Sequence, residues 1–325
     1  MESLQKQLPE DATLFLLSLT KKGRRPSTIK RYHYDLHDYF RWVEAALPHQ
    51  QSVTTMTTEM LQQFFDFLQN ERNYDIKTRK RMGTVIKQFY KYLYECRKIK
   101  SNPFIGVVIA GEIDHTLCIE DILSIEEQQK LRSIIRSSKD LTENQLKARP
   151  LLIDRNESII VLLMEYGLCL RDVTSLTLDD VHFESNVIDV HNHSSSSRSI
   201  TLKESDKKLL YRYYQHIPLP VRPKYHSDDP FFVAFDFQRN TYRWSYEKDR
   251  PKELTEIAIQ KMLRHEVKRA GLRKGICAMH LRHTFAVNAL IRGESAVTVQ
   301  EHLGLKSEFG VQRYLSLVET LKEII

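Results

Sequence analysis

The sequence has few of the features that mark secreted, zinc-binding or membrane proteins. Its four cysteines are widely separated and include no Cys-x-x-Cys pair, which disfavours a disulfide framework and a structural zinc site. The apolar stretch at residues 13–17 is short, and its positive charges follow it, whereas a signal peptide carries them in front. No other segment approaches the length of a membrane span. We therefore expect a cytoplasmic protein with reduced thiols, no metal and no membrane association.

The chain is long, ordinary in composition and basic. Its 325 residues are enough for two compact domains. Hydrophobic residues make up 41% and charged residues 28%, which is typical of a folded protein rather than a disordered one. The net charge of +7 favours a polyanionic partner without identifying it.

The N-terminal third predicts a bundle of four helices with two basic clusters. Apolar residues recur at helical spacing on both sides of a Lys/Arg-rich loop between residues 10 and 46, and again from Thr58 and from Ile76. Charge runs are usually solvated, but the free N–H groups at a helix start also favour phosphate. We predict that these residues contact DNA: Arg24, Arg25, Lys30, Arg31, Lys77, Arg79, Lys80 and Arg81.

A proline marks the end of this bundle. Pro103 removes a backbone donor and disfavours helical geometry at Asn102, so we expect the fourth helix to end there. The second domain then begins with a helix-capping pattern at residues 124–127. The expected organisation is an N-terminal helical domain at 1–105, a linker at 106–122 and a second domain at 123–325.

The second domain is expected to be mainly α with one small antiparallel β-sheet. Alternating residues at 187–190 and 198–202 predict two strands, and 218–250 is expected to be irregular. Glycines 293 and 304 interrupt a helical pattern that continues to the end of the chain. The expected helices lie at 157–178, 203–217, 255–270 and from 279 onwards.

The C-terminal region carries a recognisable motif. Residues 279–286 read Met-His-Leu-Arg-His-Thr-Phe-Ala, residues 303–305 read Leu-Gly-Leu, and Tyr314 lies nine residues after Leu305. This resembles the tyrosine recombinase (phage integrase) family, in which His-x-x-Arg opens a helix, Leu-Gly-His or Leu-Gly-Trp follows, and the nucleophilic tyrosine comes nine residues later. The resemblance implies a two-domain clamp on double-stranded DNA, with an N-terminal helical core-binding (SAM-like) domain and a C-terminal catalytic-like domain.

The family's catalytic positions are only partly matched. In that family a tyrosine attacks the scissile phosphate without metal or cofactor, while two arginines, a histidine, a His or Trp and a lysine assist. Arg282 and Tyr314 match, whereas the remaining positions hold Cys169, His193, Met279 and Leu305. Losing a single donor to a developing oxyanion costs about a hundred- to a thousandfold in rate. We therefore predict that these six positions are vestigial and that the protein is not an enzyme.

The sequence keeps the scaffold of the family but not its catalytic groups, and this combination predicts sequence-specific DNA binding. In the second domain the expected DNA contacts are Arg171, His193, Arg198, His280, Arg282 and Tyr314. The resemblance further implies a phage transcriptional repressor that maintains lysogeny by binding operator-like sites, with no cofactor.

Two other functions stay open at this point. The chain is an active or weakly active recombinase if Tyr314 works with Arg171, His193 and His280 in unorthodox roles, or it is an accessory subunit of an intact recombinase. Apolar residues at helical spacing in 315–325 allow this segment to pack on its own domain or to dock on a neighbouring copy of the chain.

Overall fold

The computed structural model describes residues 8–47, 53–191 and 197–324. The chain falls into two compact units, here called the first unit, which ends at Asp114, and the second unit, which begins at His115. The predicted fold class, mainly α with small antiparallel sheets, is confirmed. None of the helices in the described ranges combines the length and hydrophobicity that a membrane crossing requires.

The first unit is a bundle of four helices, as expected. Pro26 occupies the first turn of the second helix, and Thr57 and Asp75 cap the next two through backbone N–H groups of Met60 and Thr78. An aromatic core fills the bundle, and the buried hydroxyls of Tyr39 and Tyr90 lie 2.7 Å apart. The helices are α1 (Glu10–Lys21), α2 (Pro26–Ala46), α3 (Thr58–Asn70) and α4 (Ile76–Glu95).

The predicted end of α4 at Asn102 is wrong. The helix stops at Glu95, because Arg97 adopts a left-handed conformation with φ of +56°. The N–H of Lys98 then donates to the carbonyl of Leu93 (2.9 Å), which closes the helix as a Schellman turn does. Asn102 instead accepts the N–H of Phe104 (3.0 Å) in a later turn.

The second unit contains eight helices in the described part of the chain. Ser124 caps the first of them, as the sequence predicts, by accepting the N–H of Glu127 (3.2 Å). The helices are α5 (Ile125–Arg136), α6 (Glu143–Glu165), α7 (Leu170–Ser175), α8 (Glu204–His216), α9 (Glu256–Arg269), α10 (Ala278–Ile291), α11 (Ala296–Leu303) and α12 (Phe309–Ile324).

The predicted hairpin is part of a three-stranded antiparallel sheet. Its strands, in spatial order, are β1 (Val181–His182), β2 (Val187–Val190) and β3 (Arg198–Thr201). Ile188 pairs with Ile200 and Val190 pairs with Arg198 across the two longer strands.

The expected irregular region at 218–250 contains further short hairpins. Their strands are two residues long, which is too short for an alternating pattern to show in the sequence. They are β4 (Phe235–Asp236) with β5 (Thr241–Tyr242), and β6 (Trp244–Ser245) with β7 (Arg250–Pro251).

The single helix expected at 157–178 is also wrong, because Gly167 separates α6 from α7. Gly167 has a φ of +60°, and a β-carbon there would collide with the ring of Phe285 and come within 2.9 Å of Leu303. The break therefore lets the α6–α7 junction approach α10 and α11 closely. At the end of the chain, Leu317 and Val318 are buried in the same small core as Phe285.

Candidate nucleic-acid interface

Arg282 is buried on α10 and joins three separate segments of the second unit. Its side chain donates to the carbonyl of Gly167 at the α6–α7 junction and, at 2.5 Å, to the carbonyl of Leu303 at the end of α11. A guanidinium nitrogen also lies 3.7 Å from a carboxylate oxygen of Asp172. This arginine therefore holds the scaffold together whatever else it binds.

Asp172 organises the start of α7. Its Oδ2 accepts the backbone N–H of Cys169 (3.0 Å), while the Cys169 Sγ accepts the N–H of Asp172 (3.4 Å). Burial, and next the nearby Asp172 carboxylate, raises the pKa of the Cys169 thiol, which therefore stays neutral near pH 7. Cys169, which the sequence predicts to occupy the position of the family's first arginine, is thus a helix-capping residue here.

Arg198 brings a guanidinium from the sheet to the same carboxylate. Its Nη2 donates to Oδ2 of Asp172 (2.8 Å) and its Nε donates to the carbonyl of His302 (2.7 Å). The side chain is only 10% exposed, and its Nη1 is buried without a hydrogen-bond partner in the described ranges. The approach depends on Gly304, where a β-carbon would lie 2.9 Å from that Nη1.

Cys169, Asp172, Arg198 and Arg282 form what we call the Asp172 cluster. Two guanidinium groups share one carboxylate, so the cluster has an excess positive charge. Burial lowers the pKa of Arg282, while the nearby charge of Asp172 acts against that decrease. A buried N–H without an acceptor is costly, and Arg171, on the same helix as Asp172, also has a buried Nη1 without a partner. This arrangement is suited to an anionic ligand such as a phosphate.

Tyr314 lies on α12 and is 1% exposed. Its hydroxyl is 2.9 Å from Nδ1 of His283 and accepts a hydrogen bond from Nη2 of Arg313 at 3.0 Å. Burial, and next the charge of Arg313, lowers the pKa of His283 to about 4. The imidazole is therefore neutral near pH 7, and the direction of its hydrogen bond with the tyrosine hydroxyl depends on which ring nitrogen carries the proton. The hydroxyl thus has two hydrogen-bond partners within the protein.

The other expected positions are dispersed. Met279 is 44% exposed in the first turn of α10, Leu305 packs with the core of α10–α12, and His193 lies outside the described residues. His280 faces its own helix start, because its Nδ1 accepts the N–H of Cys277 (3.3 Å) and is 3.2 Å from that residue's Sγ. The contact with His280 lowers the pKa of Cys277 to about 7.

Sequence reasoning missed His302 and the role of His283. His302 stacks on Phe285 with centroids 4.7 Å apart, and its Nε2 is 3.0 Å from the carbonyl of Tyr166. Arg198 was expected only as a general DNA contact. The spacing Cys169-x-x-Asp172 is the signal that would have suggested a carboxylate beside the first arginine position.

The basic residues of the first unit lie in two exposed clusters. Arg24, Arg25 and Lys30 surround the start of α2, are exposed and form no ion pair in the described ranges. Lys77 is similarly exposed in the first turn of α4, and Lys80 in the next turn is partly exposed. The remaining members have partners within the unit.

Those partners are one carboxylate, one amide and the main-chain carbonyl of Tyr74, to which Arg79 Nε donates at 3.2 Å. Arg31, at 3.5 Å, and Arg81 both pair with the buried Asp35, and Arg79 donates to the side chain of Gln69. Burial raises the pKa of Asp35, and the two arginines act against that rise. Among all residues that the structure describes, no group of three histidine, cysteine or acidic side chains is placed to hold a metal ion.

Two protein families match the chain, one in each unit. Residues 127–320 match the phage integrase family, and residues 12–96 match the N-terminal SAM-like domain of phage integrases. Among curated proteins, the tyrosine recombinase XerD of Listeria monocytogenes serovar 1/2a is 25% identical over 298 residues, covering 91% of this chain and 89% of its own. The tyrosine recombinase XerC of Lactobacillus delbrueckii subsp. bulgaricus is 26% identical over 220 residues, covering 67% and 65%.

Solved structures give the same fold at lower identity. The XerH recombinase in a post-cleavage complex with difH DNA has a TM-score of 0.67 at 18% identity, covering 91% of this chain and 78% of its own. The Tn1549 transposon integrase in complex with circular intermediate DNA has a TM-score of 0.66 at 16% identity, with coverages of 97% and 99%. These likenesses confirm the fold predicted by the resemblance, with a helical N-terminal domain and a catalytic-like C-terminal domain.

Proposed function

The chain belongs to the phage integrase family, and from that premise we propose that it binds double-stranded DNA sequence-specifically without recombining it. Its target sites are operator-like, and its role is the repression of phage genes that maintains lysogeny. The length of the chain and its pattern of substituted catalytic positions resemble the lysogeny repressor of SPβ-type Bacillus prophages, and this resemblance supports the regulatory part of the proposal.

The observation that carries the proposal is the contrast between Tyr314 and the Asp172 cluster. Tyr314 is buried, with its hydroxyl hydrogen-bonded to His283 and Arg313. Arg198, by contrast, keeps a buried N–H without a partner beside an excess of positive charge. The group that would attack a phosphate is held inside the protein, while the groups that would bind one are available.

The clusters contribute to DNA binding in two different ways. Exposed residues such as Arg24, Arg25 and Lys77 attract the DNA backbone through screened, salt-dependent contacts. Arg198 and Arg282 have fixed orientations, so they position one phosphate relative to the fold. Contacts of this kind set the register of the protein on the duplex, and side chains that reach base edges select the sequence.

The test separates binding from cleavage. A binding site is first selected from a pool of randomised duplexes and is then built into a suicide substrate with a nick beside each possible cleavage position. Wild type and Tyr314→Phe are each scored for gel retardation and for protein–DNA adducts that resist SDS. We expect both proteins to retard the DNA and neither to form an adduct. An adduct from wild type that is absent with Tyr314→Phe would refute the proposal.

A weakly active recombinase is the second candidate, and the position of Arg198 favours it. Its guanidinium contacts Asp172, three residues after Cys169, where the family's first arginine is missing. Arg198, on β3, would then supply the positive charge of the missing arginine. Met279 and Leu305 would still offer no hydrogen-bond donor to the phosphate. In the same suicide assay this candidate predicts an adduct with wild type that is lost with Arg198→Met, while the exposed Arg31→Met variant retains it.

A further inference from the structure

A cavity of about 580 Å³ lies in the second unit, between α6, α9 and the segment 234–255. Ligand sites for small molecules typically have volumes of about 300–1,000 Å³. None of its lining residues belongs to the Asp172 cluster or contacts Tyr314. Its apolar wall includes Leu152, Phe235, Leu254, Ala258 and Met262.

Arg155 lines this cavity with a charge that no carboxylate neutralises. The residue is 5% exposed. Its guanidinium donates to Oδ1 of Asn156 from Nε (3.2 Å) and Nη2 (3.1 Å), and to the carbonyl of Val233 from Nη1 (3.2 Å). All of these acceptors are neutral, and within the described ranges Arg155 takes part in no ion pair. Two of its five N–H donors remain available for a ligand.

Other buried arginines of the same unit show how unusual this is. Arg282 and Arg198 share Asp172, and Arg269 pairs with Glu266 at 2.5 Å. Buried charges are normally paired, because an isolated one loses its hydration without compensation. Burial lowers the pKa of Arg155 for the same reason. A buried guanidinium without a counterion, at the wall of a cavity, indicates that the counterion comes from outside the chain.

The rest of the lining strengthens the positive field. Its two carboxylates are already engaged, since Glu266 pairs with Arg269 and Glu253 pairs with Lys248 at 2.8 Å. The exposed Lys252 and Lys261 also line the cavity and form no ion pair in the part of the chain that the structure describes. An anion therefore meets net positive charge both inside the cavity and at its exposed side.

We propose that this cavity binds a small molecule that carries one anionic group, such as a carboxylate, on an apolar body. The anionic group pairs with Arg155, and the apolar body packs against Leu152, Phe235 and Met262. The inference goes beyond DNA binding and does not rest on it, because the lining residues and the DNA-contacting residues form separate sets.

The test uses two fluorescent dyes that differ by one charged group. 1-Anilinonaphthalene-8-sulfonate carries a sulfonate, and N-phenyl-1-naphthylamine has the same ring system without it. We expect wild type to bind the sulfonated dye about tenfold more tightly, since a hydrogen bond to a charged group contributes at least that factor. Arg155→Met should remove this preference and leave binding of the neutral dye unchanged. Arg292→Met, at an exposed arginine paired with Glu294, should change neither.

A second pair of variants protects the test against misfolding. Ala258→Trp fills the cavity from α9 and should abolish binding of both dyes, while circular dichroism confirms that the chain is folded. If Arg155→Met does not fold, Lys252→Glu with Lys261→Glu should weaken binding of the sulfonated dye alone. The proposal is overturned if folded wild type binds neither dye, if it binds both equally, or if Ala258→Trp leaves binding intact.

Discussion

Each unit of the chain holds one buried aspartate between two arginines, and the two sites differ in how far the arginines reach solvent. In the first unit Asp35 lies between Arg31 and Arg81, whose side chains are 55% and 30% exposed. Water hydrates any N–H group of these arginines that is not bonded to Asp35. These pairs are therefore screened, and the more exposed Arg31 can turn to an external phosphate while Arg81 still pairs with Asp35.

In the second unit the corresponding arginines are 10% and 9% exposed. Water reaches these side chains far less, and the hydrogen bonds that Arg198 and Arg282 make go to Asp172 and to main-chain carbonyls. An N–H without a hydrogen-bond partner therefore indicates a ligand site only where solvent is largely excluded. On the surface it is hydrated, whereas in the Asp172 cluster it marks a place for a ligand.

The largest difference between the two sites should appear in stability. Arg282→Met removes a buried charge together with its bonds to Gly167 and Leu303, and we expect it to lower the free energy of unfolding by about 3–5 kcal/mol. Arg31→Met, at the exposed site, should change it by less than about 1 kcal/mol. Urea unfolding followed by circular dichroism measures both. Equal losses in the two variants would show that burial does not distinguish the sites.

Acid should destabilise the second unit through His283. The pKa of this buried histidine is lowered to about 4, so the unfolded chain binds a proton between pH 6.5 and 4 while the folded chain does not. His283 therefore does not reduce stability above pH 6.5. As the pH drops through this window, its effect lowers the free energy of unfolding by up to about 3 kcal/mol. The wild type should lose more stability than His283→Gln between pH 6.5 and 4.5.

The matched control for this titration is His115→Gln, at an exposed histidine, which should follow the wild type. Urea unfolding at the two pH values gives the comparison. If His283→Gln retains the whole pH dependence of wild type, the histidine is not the group that titrates.

Substitutions at the two sites should also differ in their effect on DNA affinity, but by less than in their effect on stability. Arg198 presents a buried, oriented N–H, and hydrogen bonds to charged groups contribute about 1.5–3 kcal/mol, so Arg198→Met should weaken DNA binding about ten- to a hundredfold. Arg31→Met should weaken it only a few-fold, because its contact is exposed and screened. Both are measured by gel retardation at one salt concentration, with folding checked by circular dichroism. Wild-type affinity in folded Arg198→Met would exclude a phosphate at the Asp172 cluster.

The smallest effect should come from a single exposed residue of the first unit. Arg25→Gln removes one unpaired charge at the start of α2, and the slope of log affinity against log salt should fall by about 0.9 for one lost phosphate contact. Arg132→Gln, at a half-exposed arginine already paired with Glu165, should leave the slope unchanged. If the slope is unaltered in Arg25→Gln, the loop before α2 does not contact the DNA backbone.

The sequence shows local features of the fold well and contacts between distant segments poorly. The capping residue Ser124 and the strands near Ile188 and Ile200 could be predicted, because each leaves a short-range pattern. The end of α4 could not, because it depends on the left-handed backbone of Arg97, a residue type without a preference for that conformation.

The candidate site shows the same division. Residues 279–286 and Tyr314 are visible as a motif, but the bond from Arg198 to Asp172 joins positions that only the sheet brings together. Arg155 is equally hidden, because an arginine between Asp154 and Asn156 looks like part of a solvated helix face. Asp154 is also buried, but it pairs with the partly exposed Arg212 and His216.

The bond between Arg198 and Asp172 has a consequence for how such a chain can evolve. Oδ2 of Asp172 already accepts the N–H of Cys169 and the guanidinium of Arg198, with Arg282 close behind. An arginine at position 169, the residue type that the family resemblance implies there, would bring a third guanidinium to a carboxylate that already has two. Such an arginine is therefore disfavoured as long as Arg198 is present. Positions 169 and 198 are thus coupled through Asp172, and a change at one alters which residues the other tolerates.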